Sequence, residues 1–508
     1  MERRRWYKAA LAFTTAGLLL TGCSGTADHD NAKTSDSRYD GQPAPDSGQY
    51  GGEDSGNSEG AEDTSREVAP EPDHLSTFAL DVDTASYGYA RRTLAEGRLP
   101  DPWSVRPEEF VNSFRQDYER PDGDGFSVTV DGARTDREDW SLLRVGLATR
   151  EASKEERPPA ALTFVIDISG SMSEKGRLDL AQESLGVMTD RLRDNDSVAL
   201  VTFSDEAETV LPMTEVGGNR DRIHEAIDSM EPTYSTNLGA GVREGYAVAV
   251  DGLKKRATNR VVLISDALAN TGDTDADSIL ESIERARKKW GITLFGVGVG
   301  SDYGDALMER LADRGDGHTV YVSEKEEAHE VFSEQLPRNI DLTARDAKAQ
   351  VSFDPENVEE FRLIGYDNRR VDDEDFRDDS VDGGETGPGH TVTALYAVRT
   401  APDARGHLAT ATVRWLDPHS RTPHEESADL ESGTLADGVW NASPRFQVTA
   451  VAAYFADRLR RGADEWESLP GAPGLDELAR RADDLAERTG DRQLDELETA
   501  IRRADEIM

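Results

Sequence analysis

The chain has 508 residues with 58 Lys+Arg against 101 Asp+Glu, a formal charge of −43. Such a surface repels phosphate, which argues against nucleic-acid partners and against adhesion to anionic lipid through basic patches. A single cysteine excludes an internal disulfide and any multi-cysteine zinc or iron–sulfur site, and the length suits two to four domains at roughly 150 residues each.

The N-terminus reads Arg3-Arg4-Arg5 and then an apolar run from Ala9 to Leu20. A basic start before a short apolar segment predicts an export signal over 1–23, too short for an ordinary spanning helix. The run ends in Leu20-Thr21-Gly22-Cys23, which resembles a bacterial lipobox, and the chain's only cysteine stands at the position that is lipidated there. Arg3-Arg4-Arg5-Trp6-Tyr7-Lys8 also resembles a twin-arginine export signal. Residues 24–74 are rich in Ser, Gly, Asp, Glu and Pro with few branched aliphatics, so they bury too little apolar surface to offset chain entropy. A disordered acidic tether is expected there, and with it a protein anchored to the cell membrane by lipid alone, facing away from the cytoplasm.

Folding signals begin at Phe78. A strand leads into a helix with Asp83 or Thr84 as N-cap, Tyr87, Ala90 and Leu94 at helical spacing, and Gly97 as its stop. Phe126, Val128 and Val130, then Leu143, Val145 and Leu147, alternate as half-buried strands do. Residues 75–157 form an N-terminal flanking region that ends at Pro158-Pro159.

Over 158–340 buried-type strands (Leu162–Ile166, Val198–Phe203, Val261–Ile264, Ile292–Val299, His318–Val322) alternate with helical stretches, including Ala306–Leu311 and Ala328–Leu336. A short edge strand is expected near Val210. This order predicts an α/β fold: a doubly wound, mostly parallel sheet with helices on both faces. Ligands of such sheets lie beyond the carboxyl ends of the strands. From 341 to 445 the β pattern returns, with Val351, Phe353, Phe361–Tyr366, Val392–Val398 and Ala409–Trp415. The resumption predicts that 75–157 and 341–445 fold together as a β-rich domain with the α/β unit inserted. A helical tail over 446–508 is expected to follow.

The chemistry concentrates after the first buried strand, at Asp167-Ile168-Ser169-Gly170-Ser171. Thr236 precedes another helix and Asp266 ends the strand Val261–Ser265, so five oxygen-bearing side chains come from three loops at one sheet edge. Oxygen donors without His or Cys suit a hard cation, and small hydroxyl ligands favour Mg²⁺, with Mn²⁺ and Ca²⁺ as alternatives. Two carboxylates leave the ion enough charge to attract an external carboxylate. These side chains are expected outside the packed strands.

Asp167-x-Ser169-x-Ser171 with Thr236 and Asp266 resembles the metal-ion-dependent adhesion site of von Willebrand factor type A domains. The resemblance implies direct metal ligation by the serines, and direct or water-mediated ligation by Thr236, Asp167 and Asp266. It also implies a protein partner that offers an acidic side chain. Phe78–Tyr87, Phe361–Arg369 and Gly389–Tyr396 are similar to the regions flanking that domain in YfbK-like bacterial lipoproteins. One departure is Ser265-Asp266-Ala267, where Thr-Asp-Gly is usual.

Other motifs read as structure. Asp273, Asp275 and Asp277 with Glu284 superficially fit a calcium loop, but Ser278 replaces the turn glycine and helical spacing has begun, so a helix N-terminus is expected. Gly296, Gly298 and Gly300 lack the spacing of a dinucleotide loop and fit close packing at a strand end. Asp81 and Asp83 fit a strand-to-helix turn, and Asp372–Asp379 a solvated loop. No nucleophile elbow frames Ser169 or Ser171, so an enzyme is not expected. Metal-assisted hydrolysis of the envelope and a purely structural envelope role stand as alternatives to metal-dependent protein binding.

Overall fold

The computed structural model describes residues 66–67 and 74–508, apart from 81–82, 138, 152–156, 176, 267–272, 300–310, 312–314, 316, 318, 323–327, 329–330, 333–341, 380, 382, 419 and 462–467. The expected signal peptide, Cys23 and nearly all of the tether lie outside the described residues. So do the expected helices at 306–311 and 328–336, save Leu311, Ala328, Val331 and Phe332.

Folded structure starts earlier than the boundary at 75. Strand β1 (Arg66–Glu67) pairs with Arg362 and Phe361, a contact made by backbone that needs no apolar side chains. Next come β2 (Leu75–Ala79), α1 (Ala85–Ala95), α2 (Pro107–Asn112), β3 (Phe126–Arg134) and β4 (Trp140–Thr149). Helix α1 buries Tyr87, Ala90 and Leu94, and Gly97 follows it at φ 80°, a left-handed conformation that glycine adopts without strain.

The central unit comprises β5 (Ala160–Asp167), α3 (Leu178–Arg191), β6 (Ser197–Phe203), β7 (Ala207–Glu215), α4 (Arg220–Asp228), α5 (Leu238–Asp251), β8 (Thr258–Ser265), α6 (Asp273–Trp290), β9 (Thr293–Val299) and β10 (Thr319–Val322). Its sheet runs β10-β9-β8-β5-β6-β7, parallel throughout except for the antiparallel edge strand β7. Each residue of β5, β6 and β9 is buried, as continuous apolar runs in a two-faced sheet require. One face packs Leu162, Phe164 and Ile166 against Leu185 and Ile223 from α3 and α4. The other packs Val165 and Leu263 against Val242 and Ile283 from α5 and α6.

The chain then forms β11 (Ala344–Phe353), β12 (Val358–Leu363), β13 (Gly384–Thr386), β14 (Thr391–Thr400), β15 (His407–Leu416) and β16 (Pro423–Glu431). It closes with α7 (Pro444–Arg460), α8 (Leu475–Thr489) and α9 (Arg492–Ile507). Strand β2 pairs with β11 and β4 pairs with β14, so both sheets of the flanking body mix strands from either side of the α/β unit. The first sheet runs β1-β12-β14-β4-β3; in the second, β11 lies between β15 and the pair β2 and β13, and β16 forms the edge beyond β15. Their facing sides share Leu143, Val145, Phe353, Phe361 and Tyr396.

The other side of the first sheet is also buried. Leu142, Leu395 and Ala397 pack against α1, α2 and the three C-terminal helices through Phe110, Phe446, Phe455, Leu478 and Leu497. The expected helical tail is therefore a layer of the core. The Asp372–Asp379 stretch also differs from a free loop: Asp373–Arg377 form a 3-10 turn, and the buried Lys348 ammonium donates to the Asp375 and Asp378 carbonyls at 3.2 and 2.6 Å.

Side chains clasp the α/β unit to the flanking body. Asp83, expected only to cap α1, accepts the Thr319 N–H of β10 at 2.8 Å and faces Arg369 at 3.2 Å. Arg260 of β8 and Arg345 of β11 approach Glu385 at 3.5 and 3.6 Å, with Arg260 and Glu385 almost wholly buried. At its base, Asp196 accepts from Ala160 N–H at 2.8 Å, Arg193 N–H at 2.7 Å and the Arg157 guanidinium, and these donors hold its carboxyl below the usual range despite burial.

Candidate metal centre

The chain leaves β5 for β6 on one side and returns to β8 on the other, so loops diverge at the carboxyl end of β5. That divergence opens the crevice where ligands of open α/β sheets sit. Three backbone contacts close loops over it. Ile168 N–H donates to Phe203 O at 3.0 Å, Thr233 N–H to Ile168 O at 2.6 Å, and Asn237 N–H to Ser204 O at 2.6 Å. Asn237 also caps α5 by accepting from Ala240 N–H at 3.0 Å, which fixes the residue after Thr236.

Asp167 is the last residue of β5 and is fully buried, which corrects the expectation that the site's side chains stand outside the packed strands. Its two oxygens organise the loop: Oδ1 accepts from Ser169 N–H at 2.8 Å and Oδ2 from the Ser265 hydroxyl at 2.6 Å. Burial lifts its carboxyl above the usual carboxylate range, against the pull of those hydrogen bonds. Beyond it, Ser169 Oγ lies 3.1 Å from Ser171 Oγ, and Ser171 Oγ donates to Asp266 Oδ1 at 3.0 Å. Four of the five expected residues thus join in one hydrogen-bonded chain. Thr236 stands half-buried on the neighbouring loop, and among the described residues its hydroxyl has no hydrogen-bond partner.

The oxygen spacing is that of hydrogen bonds and also matches the edge of a small cation's coordination shell. With metal–oxygen bonds of about 2.0–2.1 Å, adjacent corners of an octahedron lie roughly 2.8–3.0 Å apart. The Ser169–Ser171 and Ser171–Asp266 separations fall close to that edge. Among the described residues, no group of three or more His, Cys, Asp and Glu is placed to hold a metal ion, so a cation at this turn would need hydroxyl donors beside the carboxylates. Helix α6 begins at Asp273, so the calcium-loop reading of that stretch gives way to a helix start, and Glu284 pairs with Lys288 one turn on.

One residue went unforeseen. The Arg177 guanidinium, nearly buried, donates to Asp266 Oδ2 and lies 3.0 Å from Glu174 and 3.3 Å from the Ser171 carbonyl. It sets a positive charge behind the carboxylate that faces the serines. The available signal was a lone arginine six residues after Ser171, directly before the apolar face of α3.

The von Willebrand factor type A domain family model matches residues 161–334, the model for the C-terminal region of YfbK matches 339–494, and a model described as von Willebrand factor matches 58–143. The chain is 35% identical over 419 residues to YfbK of Escherichia coli, covering 78% of this chain and 72% of that protein. It is 26% identical over 203 residues to the protein sll0103 of Synechocystis, 40% of this chain and 47% of the relative. It is 25% identical over 178 residues to human inter-alpha-trypsin inhibitor heavy chain H3, 34% of this chain and 20% of the relative. A solved von Willebrand factor type A protein from Catenulispora acidiphila aligns with a TM-score of 0.45 at 15% identity, over 74% of this chain and 89% of its own. With that share of both chains matched to YfbK and the two family models side by side, the chain belongs to the YfbK family of proteins with a von Willebrand factor type A domain.

Proposed function

We propose that the chain is a lipid-anchored, extracytoplasmic protein that binds a protein partner through a divalent cation. Ser169, Ser171 and Thr236, with Asp167 and Asp266 in direct or water-mediated roles, would hold Mg²⁺, or Mn²⁺ or Ca²⁺ in its place. When bound, the ion supplies a local positive centre on a chain of net charge −43 and attracts a partner's acidic side chain. The observation that carries this reading is the run of oxygens Ser169–Ser171–Asp266 at 3.1 and 3.0 Å.

The reading is of binding and not of catalysis, because the serine hydroxyls hydrogen-bond to each other and to Asp266 with no imidazole in those bonds. Anchoring rests on the sequence Leu20-Thr21-Gly22-Cys23 after an apolar run. Stable attachment takes two acyl chains, since one gives only marginal binding.

Affinity capture from envelope extract, in Mg²⁺ and in EDTA, tests the function. A partner retained in Mg²⁺ and released both by EDTA and by Ser171→Ala/Thr236→Ala supports it; equal capture in all arms refutes it. A fatty-acid probe should label the wild type and not Cys23→Ala, and equal labelling refutes the anchor.

A further inference from the structure

The loop that carries Thr236 also carries Tyr234, whose side chain is fully exposed. Single exposed aromatics are common and by themselves mean little. This one is set apart by position. Thr233 N–H is bonded to Ile168 O, inside the Asp167–Ser171 turn, and a Cβ added to Gly170 would lie 3.8 Å from the Tyr234 Cα. Tyr234 therefore stands beside the metal centre with its side chain in solvent. Among the described residues it has no hydrogen-bond or ring partner, so the fold makes no use of it.

The same rim is acidic. Glu174 is mostly exposed, beside Arg177. Asp205 and Glu206 are exposed on the loop after β6, where Asp205 lies 3.5 Å from Ser235 Oγ and its carbonyl accepts from Asn237 at 3.2 Å. Glu231 is exposed at the start of the Tyr234 loop; among the described residues, Lys175 is exposed beside Glu174, and Arg177 is already shared between Glu174 and Asp266, so Asp205, Glu206 and Glu231 leave the rim net acidic. A partner that brought only carboxylates would meet the ion at the centre but repulsion from Asp205, Glu206 and Glu231 beside it. A partner carboxylate with cationic neighbours meets complementary charge at both places. An exposed aromatic face adds a stacking site for the same cations.

We infer that the partner segment is of mixed charge: an Asp or Glu that reaches the ion, with Lys or Arg within a few residues that lie on the acidic rim and over Tyr234. This rests on the metal-dependent binding proposed above and names the chemistry of the partner for that site.

The test is selection from a displayed random-peptide library on the immobilised full chain in Mg²⁺, with elution by EDTA. The expected result is enrichment of peptides with Asp or Glu flanked by Lys or Arg. A fluorescein-labelled copy of the most enriched peptide should bind roughly 5- to 10-fold more weakly to Tyr234→Ser, and nearly as well as wild type to Tyr234→Phe, which keeps the ring face. Mg²⁺ affinity should be the same in all three proteins. Metal-dependent peptides that lack cationic neighbours, or that bind Tyr234→Ser as well as wild type, overturn this inference and leave the adhesion site standing. Failure to enrich any metal-dependent peptide counts against the adhesion site itself, and this inference falls with it.

Discussion

Replacing Arg177 by Gln separates two roles of the Asp266 carboxylate. Without metal, Asp266 is charge-compensated by Arg177, and the two side chains are only 4% and 9% exposed. Removing one partner of a buried pair costs about 3–5 kcal/mol, and the Ser171 hydroxyl still bonds to Asp266, which favours the lower end, about 3 kcal/mol. For a unit the size of the α/β domain over 158–340 each kcal/mol moves the melting point roughly 2–4 °C, so the metal-free variant should melt roughly 6–12 °C lower. With Mg²⁺ the balance reverses, because the ion supplies the charge that the guanidinium had supplied, and in the variant no guanidinium repels the ion. A roughly tenfold gain in affinity is expected, about 1.4 kcal/mol. Saturating Mg²⁺ then recovers about half of the lost stability through linkage. Thermal unfolding with and without Mg²⁺, paired with calorimetry, reads both effects. Weaker Mg²⁺ binding by Arg177→Gln than by wild type would instead make Arg177 a scaffold for Asp266.

Three further variants probe the flanking body. Glu109 is buried beside Asp83, Arg106 and Glu108, and burial followed by the Asp83 charge holds its carboxyl well above the usual range. The folded state then keeps a proton that the unfolded chain loses near pH 4.3, so stability falls as pH rises from there through the folded value. Glu109→Gln, which keeps an acceptor for the Ser86 N–H, should flatten that slope in chemical unfolding from pH 4 to 8 and raise stability at pH 8; an unchanged slope contradicts the assignment. Gly146 of β4 lies under Tyr118, where an added Cβ would stand 2.2 Å from the ring, so Gly146→Ala should lower stability by about 1–3 kcal/mol in urea unfolding. Leu497→Ala in α9 should cost about 2–5 kcal/mol, since its side chain is fully buried in the helix–sheet core; a surface-like effect below about 0.5 kcal/mol would mean that the C-terminal helices do not belong to that core.

The alternation of buried strands and helices over 158–340 made the α/β unit legible, because a two-faced parallel sheet writes itself as runs such as Leu162–Ile166. What escaped was structure held by backbone or by charge. Strand β16 (Pro423–Glu431) carries no apolar alternation to mark it, because its side chains except Leu430 are mostly exposed; it is an edge strand paired with β15 and tied by Glu425 to Arg414 and Arg377. The C-terminal helices read as a tail although Leu475, Leu478, Ala482 and Leu485 mark one apolar stripe, which needed a partner surface. At the site, residue types and loop order were legible, whereas the burial of Asp167 and the Arg177–Asp266 pair were not. Both depend on how close β5 and β8 bring Ser265, Asp266 and the Ser169 turn.

The burial of Asp167 also changes the choice of variant. Asp167→Ala would leave the Ser169 N–H and the Ser265 hydroxyl without their acceptor, so lost binding there would mix metal chemistry with loop damage. Ser171→Ala/Thr236→Ala removes two proposed ligands and spares those bonds. Calorimetric titration of Mg²⁺ into the chain and into this double variant at neutral pH measures whether these hydroxyls hold a cation. One ion should bind per wild-type chain, with affinity at least roughly tenfold weaker in the variant and an unchanged circular dichroism spectrum. Absence of binding by Mg²⁺, Mn²⁺ and Ca²⁺ to the wild type, or equal affinity in the variant, would mean that Ser171 and Thr236 hold no cation.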